Sequence, residues 1–93
     1  MLPQALLDYL GGDPNSDGVE PIGADARLRA YDSAIGDACA AIIAELMRDD
    51  ESWRSGALER VSTAAAARMQ RLHPEFSGVL AAKLGNWYAF QWR

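Results

Sequence analysis

The strongest constraint in this chain is the spacing of its apolar residues between positions 24 and 72. Leu28, Tyr31, Ile35, Ala38, Cys39, Ile42, Ile43 and Leu46 recur every three or four residues. Trp53, Ala57, Leu58, Val61, Ala65, Met69 and Leu72 do the same. Spacing of that kind lays each set along one side of an α-helix, whereas a strand needs alternation. The composition agrees, since Ala loses no side-chain entropy in a helix and β-branched residues are few. The spacing predicts one long helix over 24–49 and a second over 50–72, packed antiparallel.

Local signals place two shorter helices around that pair. Pro3 suits the first turn of a helix over 3–10, where its missing N–H costs nothing, and Gly11 and Gly12 stop it. His73-Pro74 ends the second long helix, because the residue before proline avoids the α region. Ser77 then reads as the N-cap of a last helix running to about Gln91, with Phe76 as a hydrophobic staple toward Ala81. Its inner face is Leu80, Leu84, Trp87 and Tyr88. Gly36 interrupts the first long helix at a cost of about 1 kcal/mol relative to Ala, and would let a neighbouring helix approach. The expected fold is all-α: a small up-down helical bundle in one domain over 1–93, with two long antiparallel helices flanked by a short N-terminal helix and a C-terminal helix. A chain of 93 residues has room for one modest core.

The charge is uneven. Residues 1–52 hold eleven acids and three bases, and residues 53–93 hold two acids and six bases. The two halves either attract each other within the fold or leave an acidic face for a basic partner. The net charge of −4 argues against nucleic acid, which needs a dense basic patch. No stretch approaches the roughly 20 apolar residues of a membrane helix. The opening MLPQALLDYLGG lacks a basic segment and a long apolar run, and a single cysteine makes no internal disulfide, so a cytoplasmic location is expected.

Three constellations invite chemical readings. Asp13-Pro14-Asn15-Ser16-Asp17-Gly18 begins like a calcium loop, D-x-N-x-D-G, but the twelfth position, a bidentate Glu in such loops, is Ala24. It reads as an acidic turn-rich loop that does not hold calcium, with a metal- or small-molecule-responsive loop over 13–20 as the alternative. His73 and Cys39 are too few and too far apart for a zinc site, and Cys39 lies on an apolar stripe where burial leaves a thiol inert. Arg68 falls on the stripe of the second long helix, where it either snorkels or reaches an acid such as Asp32. Neither a phosphate loop nor a nucleophile elbow is present. No catalytic residue, cofactor or metal is therefore expected.

The C-terminus is aromatic-rich: Trp87, Tyr88, Phe90 and Trp92 make up half of the chain's aromatics. On a helix these four cannot share one face, and Phe90 and Trp92 fall on opposite flanks of the Leu80–Trp87 stripe. They either cap the core or anchor a protein partner, and an apolar patch there would equally serve a homodimer. The expected function is a non-enzymatic protein-binding module whose partner is a basic protein. Asp13, Asp17, Glu20, Asp37, Phe90 and Trp92 are the candidate contacts. In size, acidity and lack of a reactive site the chain is like small inhibitors and toxin-neutralising immunity proteins.

Overall fold

A computed structural model of the chain describes residues 2–13, 18–48 and 58–91, residues 58 and 59 in backbone only. Its elements are all helical: α1 (Leu2–Leu10), α2 (Ala24–Leu28), α3 (Ser33–Met47), α4 (Leu58–Leu72) and α5 (Gly78–Gln91). The all-α bundle expected from the spacing is present. No helix among the described residues is long and apolar enough to cross a membrane.

Helix ends follow the local signals. Gly11 and Gly12 take positive φ angles of 73° and 75° and end α1. At Gly12 a side chain would also meet backbone, because a Cβ there would lie 2.5 Å from the Gly18 carbonyl oxygen. His73-Pro74 ends α4, and the Ser77 hydroxyl accepts from the Leu80 N–H at 3.1 Å, capping α5. Phe76 and Ala81, the two ends of the expected staple, are both buried.

The region expected as one long helix over 24–49 is instead two helices. The chain leaves the helix at Arg29 and re-enters at Ser33, where the Asp32 carboxylate accepts from the Ile35 N–H at 2.9 Å. Asp32, expected as a partner for Arg68, is an N-cap. Arg68 donates to the Glu45 carbonyl at 3.3 Å. Of the second long helix, residues 58–72 are described, and the expected start near 50 lies outside the described residues.

The closest pairing is also not the expected one. Helix α4 packs chiefly against α5, as an antiparallel hairpin closed by the turn 73–77, while α1 packs on α2, α3 and α5. Val61, Ala65 and Met69 of α4 are buried, as are Ala5, Leu6 and Leu10 of α1 and Cys39, Ile42 and Leu46 of α3. Helix α5 buries Leu80, Ala81, Lys83, Leu84, Gly85, Trp87, Tyr88 and Ala89, which occupy most of its circumference. A helix apolar on nearly every side belongs in the middle of a core, and α5 packs against α4, α1 and α3.

Gly85 sets the distance between α4 and α5. A Cβ there would stand 2.2 Å from the Ser62 carbonyl oxygen and 3.0 Å from the Ala66 Cβ. The Ser62 hydroxyl donates to the Asn86 amide oxygen beside it at 2.5 Å. Gly36, expected to admit a neighbouring helix, has nothing among the described residues within 4 Å of its Cβ position.

Candidate functional site

The candidate surface lies at the end of the bundle where α1 hands over to α2. The last carbonyls of α1 have no partner within the helix, and a side chain from α2 supplies one. The Arg27 guanidinium donates to the carbonyls of Asp8 at 2.6 Å and Tyr9 at 2.8 Å. It also donates to the carbonyls of Ile22, at 3.0 Å, and Glu20. One planar group thus ties the end of α1 to the outgoing arm of the loop 11–23. A cation also suits the negative end of a helix dipole.

A second cation ties the same loop from below. Lys83, on α5, is fully buried, and its ammonium donates to the carbonyls of Gly11 at 2.7 Å and Gly18 at 2.5 Å. The Glu20 N–H donates to the Leu10 carbonyl at 2.7 Å. The Tyr31 hydroxyl donates to the Asp8 carboxylate, which also accepts from Gln4 at 3.2 Å. That bond to a carboxylate raises the Tyr31 phenol above its ordinary value of 10.0.

The consequence is a presented apolar residue. Ile22 sits between Pro21 and Gly23 with 87% of its surface exposed, the most exposed large apolar side chain among the described residues. Exposed Glu20 and Asp25 flank it in sequence. On one side of the loop is an open groove of about 450 Å³ lined by Leu7, Asp8, Glu20 and Arg27 among others. Another, of about 290 Å³, is lined by Tyr9, Pro21, Gly23, Asp25, Trp87 and Gln91 among others. Trp87 and Gln91 belong to the last turns of α5, so the end of α5 lies beside the loop. Two stretches read separately in the sequence meet at one end of the bundle.

The individual candidates separate as follows. Glu20 is exposed on this loop, as is Asp13. Asp37 is exposed on the first turns of α3. Phe90 is 43% exposed, whereas Trp87 and Tyr88 are core. Asp17 and Trp92 lie outside the described residues, as do Asn15 and most of the calcium-like motif. Its twelfth position, Ala24, is buried at the start of α2. Among the described residues no three His, Cys, Asp or Glu side chains converge as metal ligands do.

Cys39 is 1% exposed, and burial pushes its thiol upward. His73 is more than a turn residue. Its Nε2 lies 2.5 Å from a Glu45 carboxylate oxygen and its Nδ1 3.5 Å from Glu75. Its ring stacks on Phe76 with centroids 4.7 Å apart. It fastens the α4–α5 turn to α3.

Sequence reasoning misses Arg27, Lys83, Ile22 and Tyr31. Lys83 carries a signal, since it falls between Leu80, Leu84 and Trp87 on an apolar stripe, where a lysine must find acceptors. Ile22 carries one as well: an apolar residue between Pro and Gly belongs to no stripe.

Compared with protein-family models, curated proteins and solved structures, the chain matches none.

Proposed function

We propose that this chain is a non-enzymatic protein-binding module that docks a basic protein, in the manner of a small inhibitor or toxin-neutralising protein. The observation that carries the reading is Ile22: an apolar side chain held out into water, flanked by carboxylates, on a loop whose carbonyls Arg27 fixes. An exposed apolar group on a braced loop is a natural contact point. Glu20, Asp25 and Asp37 supply the charge, which speeds encounter and excludes wrong partners. Phe90 supplies a second apolar contact. A preformed loop loses little entropy on docking, so more of its contact energy appears as affinity.

The test is affinity capture from the native cell with wild-type protein and with Ile22→Asp. The wild type retains a basic protein at low salt, and the variant, with a charge where an apolar contact stood, loses it. If both proteins retain the same set, the loop is not the binding surface.

A further inference from the structure

The outer face of α4 is the opposite of the acidic loop in both charge and shape. Arg60, Thr63, Ala67 and Arg71 are exposed along it, at spacings of three and four that place them on one side of the helix. Between the arginines the side chains are small. There the surface forms an open trough of about 420 Å³ lined by Arg60, Thr63, Ala64 and Ala67. Ala64 and Ala67 supply its apolar floor, and Arg60 stands at its edge.

Loop 18–25 offers the complement: Ile22 projecting, with Glu20 and Asp25 on either side. The loop's own surroundings are α1, α2 and the end of α5. The trough is lined by α4 residues, none of which lines either groove beside the loop, so among the described residues the two surfaces are separate. We propose that a second copy of this chain occupies the trough, its Ile22 seated over Ala64 and Ala67 and its Glu20 facing Arg60. The contact joins unlike surfaces, so every molecule carries one donor loop and one acceptor trough. It is small, below the roughly 1,200 Å² of a stable interface, and therefore weak and transient. The inference rests on the loop read above as a protein-binding surface but needs no foreign partner. Pure protein tests it, and its failure leaves the proposal of a foreign basic partner standing.

The experiment is sedimentation equilibrium of the full chain up to millimolar concentration. It is run at about 0.01 M and about 1 M salt, where charges act over about 30 Å and about 3 Å. Wild type associates at low salt and dissociates at high salt. Glu20→Arg and Arg60→Glu each put like charges across the contact and weaken association about tenfold at low salt. Mixed in equal amounts, the two variants associate again, because the reversed loop of one meets the reversed trough of the other. That recovery separates a lost contact from a damaged fold. A wild type that stays monomeric at low salt overturns the proposal. So does association that neither reversal weakens, or a mixture that fails to recover.

Discussion

Two glycines inside helices should respond to the same substitution with opposite signs. Gly→Ala within a helix has an intrinsic gain of about 1 kcal/mol, from the freedom glycine loses on folding and the better propensity of alanine. At Gly36 nothing described lies within 4 Å of the new methyl, so the whole gain should appear. At Gly85 the methyl would stand 2.2 Å from the Ser62 carbonyl oxygen. That oxygen is backbone, held in α4, and cannot swing aside as a side-chain end could. Helices α4 and α5 must separate by roughly 1 Å to reach ordinary contact. Overpacking a tight core costs about 1–3 kcal/mol, occasionally more, and the upper end applies where two backbones are forced apart. Offset by the intrinsic gain, Gly85→Ala should lose about 2 kcal/mol. For a domain near this size each kcal/mol moves Tm by about 4–8 °C. Gly36→Ala should therefore raise Tm by that amount and Gly85→Ala lower it by about twice as much. Thermal and urea unfolding followed by far-UV circular dichroism measures both. If Gly85→Ala matches or exceeds wild type, the close crossing of α4 and α5 is refuted.

Removing either helix cap, by Asp32→Ala or Ser77→Ala, should cost about 1 kcal/mol in urea unfolding. Cys39 should resist a thiol reagent in the native state and react on unfolding, and Cys39→Ala should cost about 1 kcal/mol from lost packing. The folded-state value of Tyr31 is raised by its bond to Asp8, so its contribution to stability is complete below the ordinary tyrosine value of 10.0 and lost as pH climbs above it. Tyr31→Phe should reduce that alkaline loss when Tm is followed against pH. Lys83→Met should strip the Gly11 and Gly18 carbonyls of a donor, at a cost of about 1–3 kcal/mol, and should speed proteolytic cleavage within 11–18 more than elsewhere in the chain.

Helix ends are legible wherever a residue type has one local meaning. Gly11-Gly12, His73-Pro74 and Ser77 each act through their own backbone or side chain, and the structure places helix ends at all three. The break between α2 and α3 is hidden for a geometric reason. The interruption at residues 29–32 is close to one helical turn, so Leu28, Tyr31 and Ile35 keep the phase of a continuous stripe across it. Asp32 and Ser33 are the cap signals there, and the Asp32 carboxylate equally suits an ion pair. The role of α5 is hidden for another reason. A stripe of Leu80, Leu84, Trp87 and Tyr88 describes an amphipathic helix, and the small residues Ala81, Gly85 and Ala89 give no sign that they are buried too. On the candidate surface, charge is legible in Glu20 and its neighbours, but which side chains brace the loop is not. Lys83 lies far from Gly11 and Gly18 in sequence, as Arg27 does from Asp8 and Tyr9, and backbone carbonyls leave no mark in a sequence at all.

Those two cations explain how the described arms of a glycine-rich loop, 11–13 and 18–23, are held. Gly11, Gly12, Gly18 and Gly23 leave 11–23 with more freedom to lose on folding than most loops have. An ion pair with a carboxylate fixes one side chain to another and leaves the backbone loose. Donation to carbonyls fixes the backbone itself. Arg27 joins Asp8 and Tyr9 to Glu20 and Ile22, and Lys83 joins Gly11 to Gly18. Each cation therefore joins the incoming arm of the loop to the outgoing one, and neither uses up a carboxylate of Glu20 or Asp25 in doing so. The acids keep their charge at the surface while the chain beneath them is held. A loop built this way separates bracing from display, so Lys83→Met should loosen it without altering its exposed side chains, and Glu20→Arg should change its charge without loosening it.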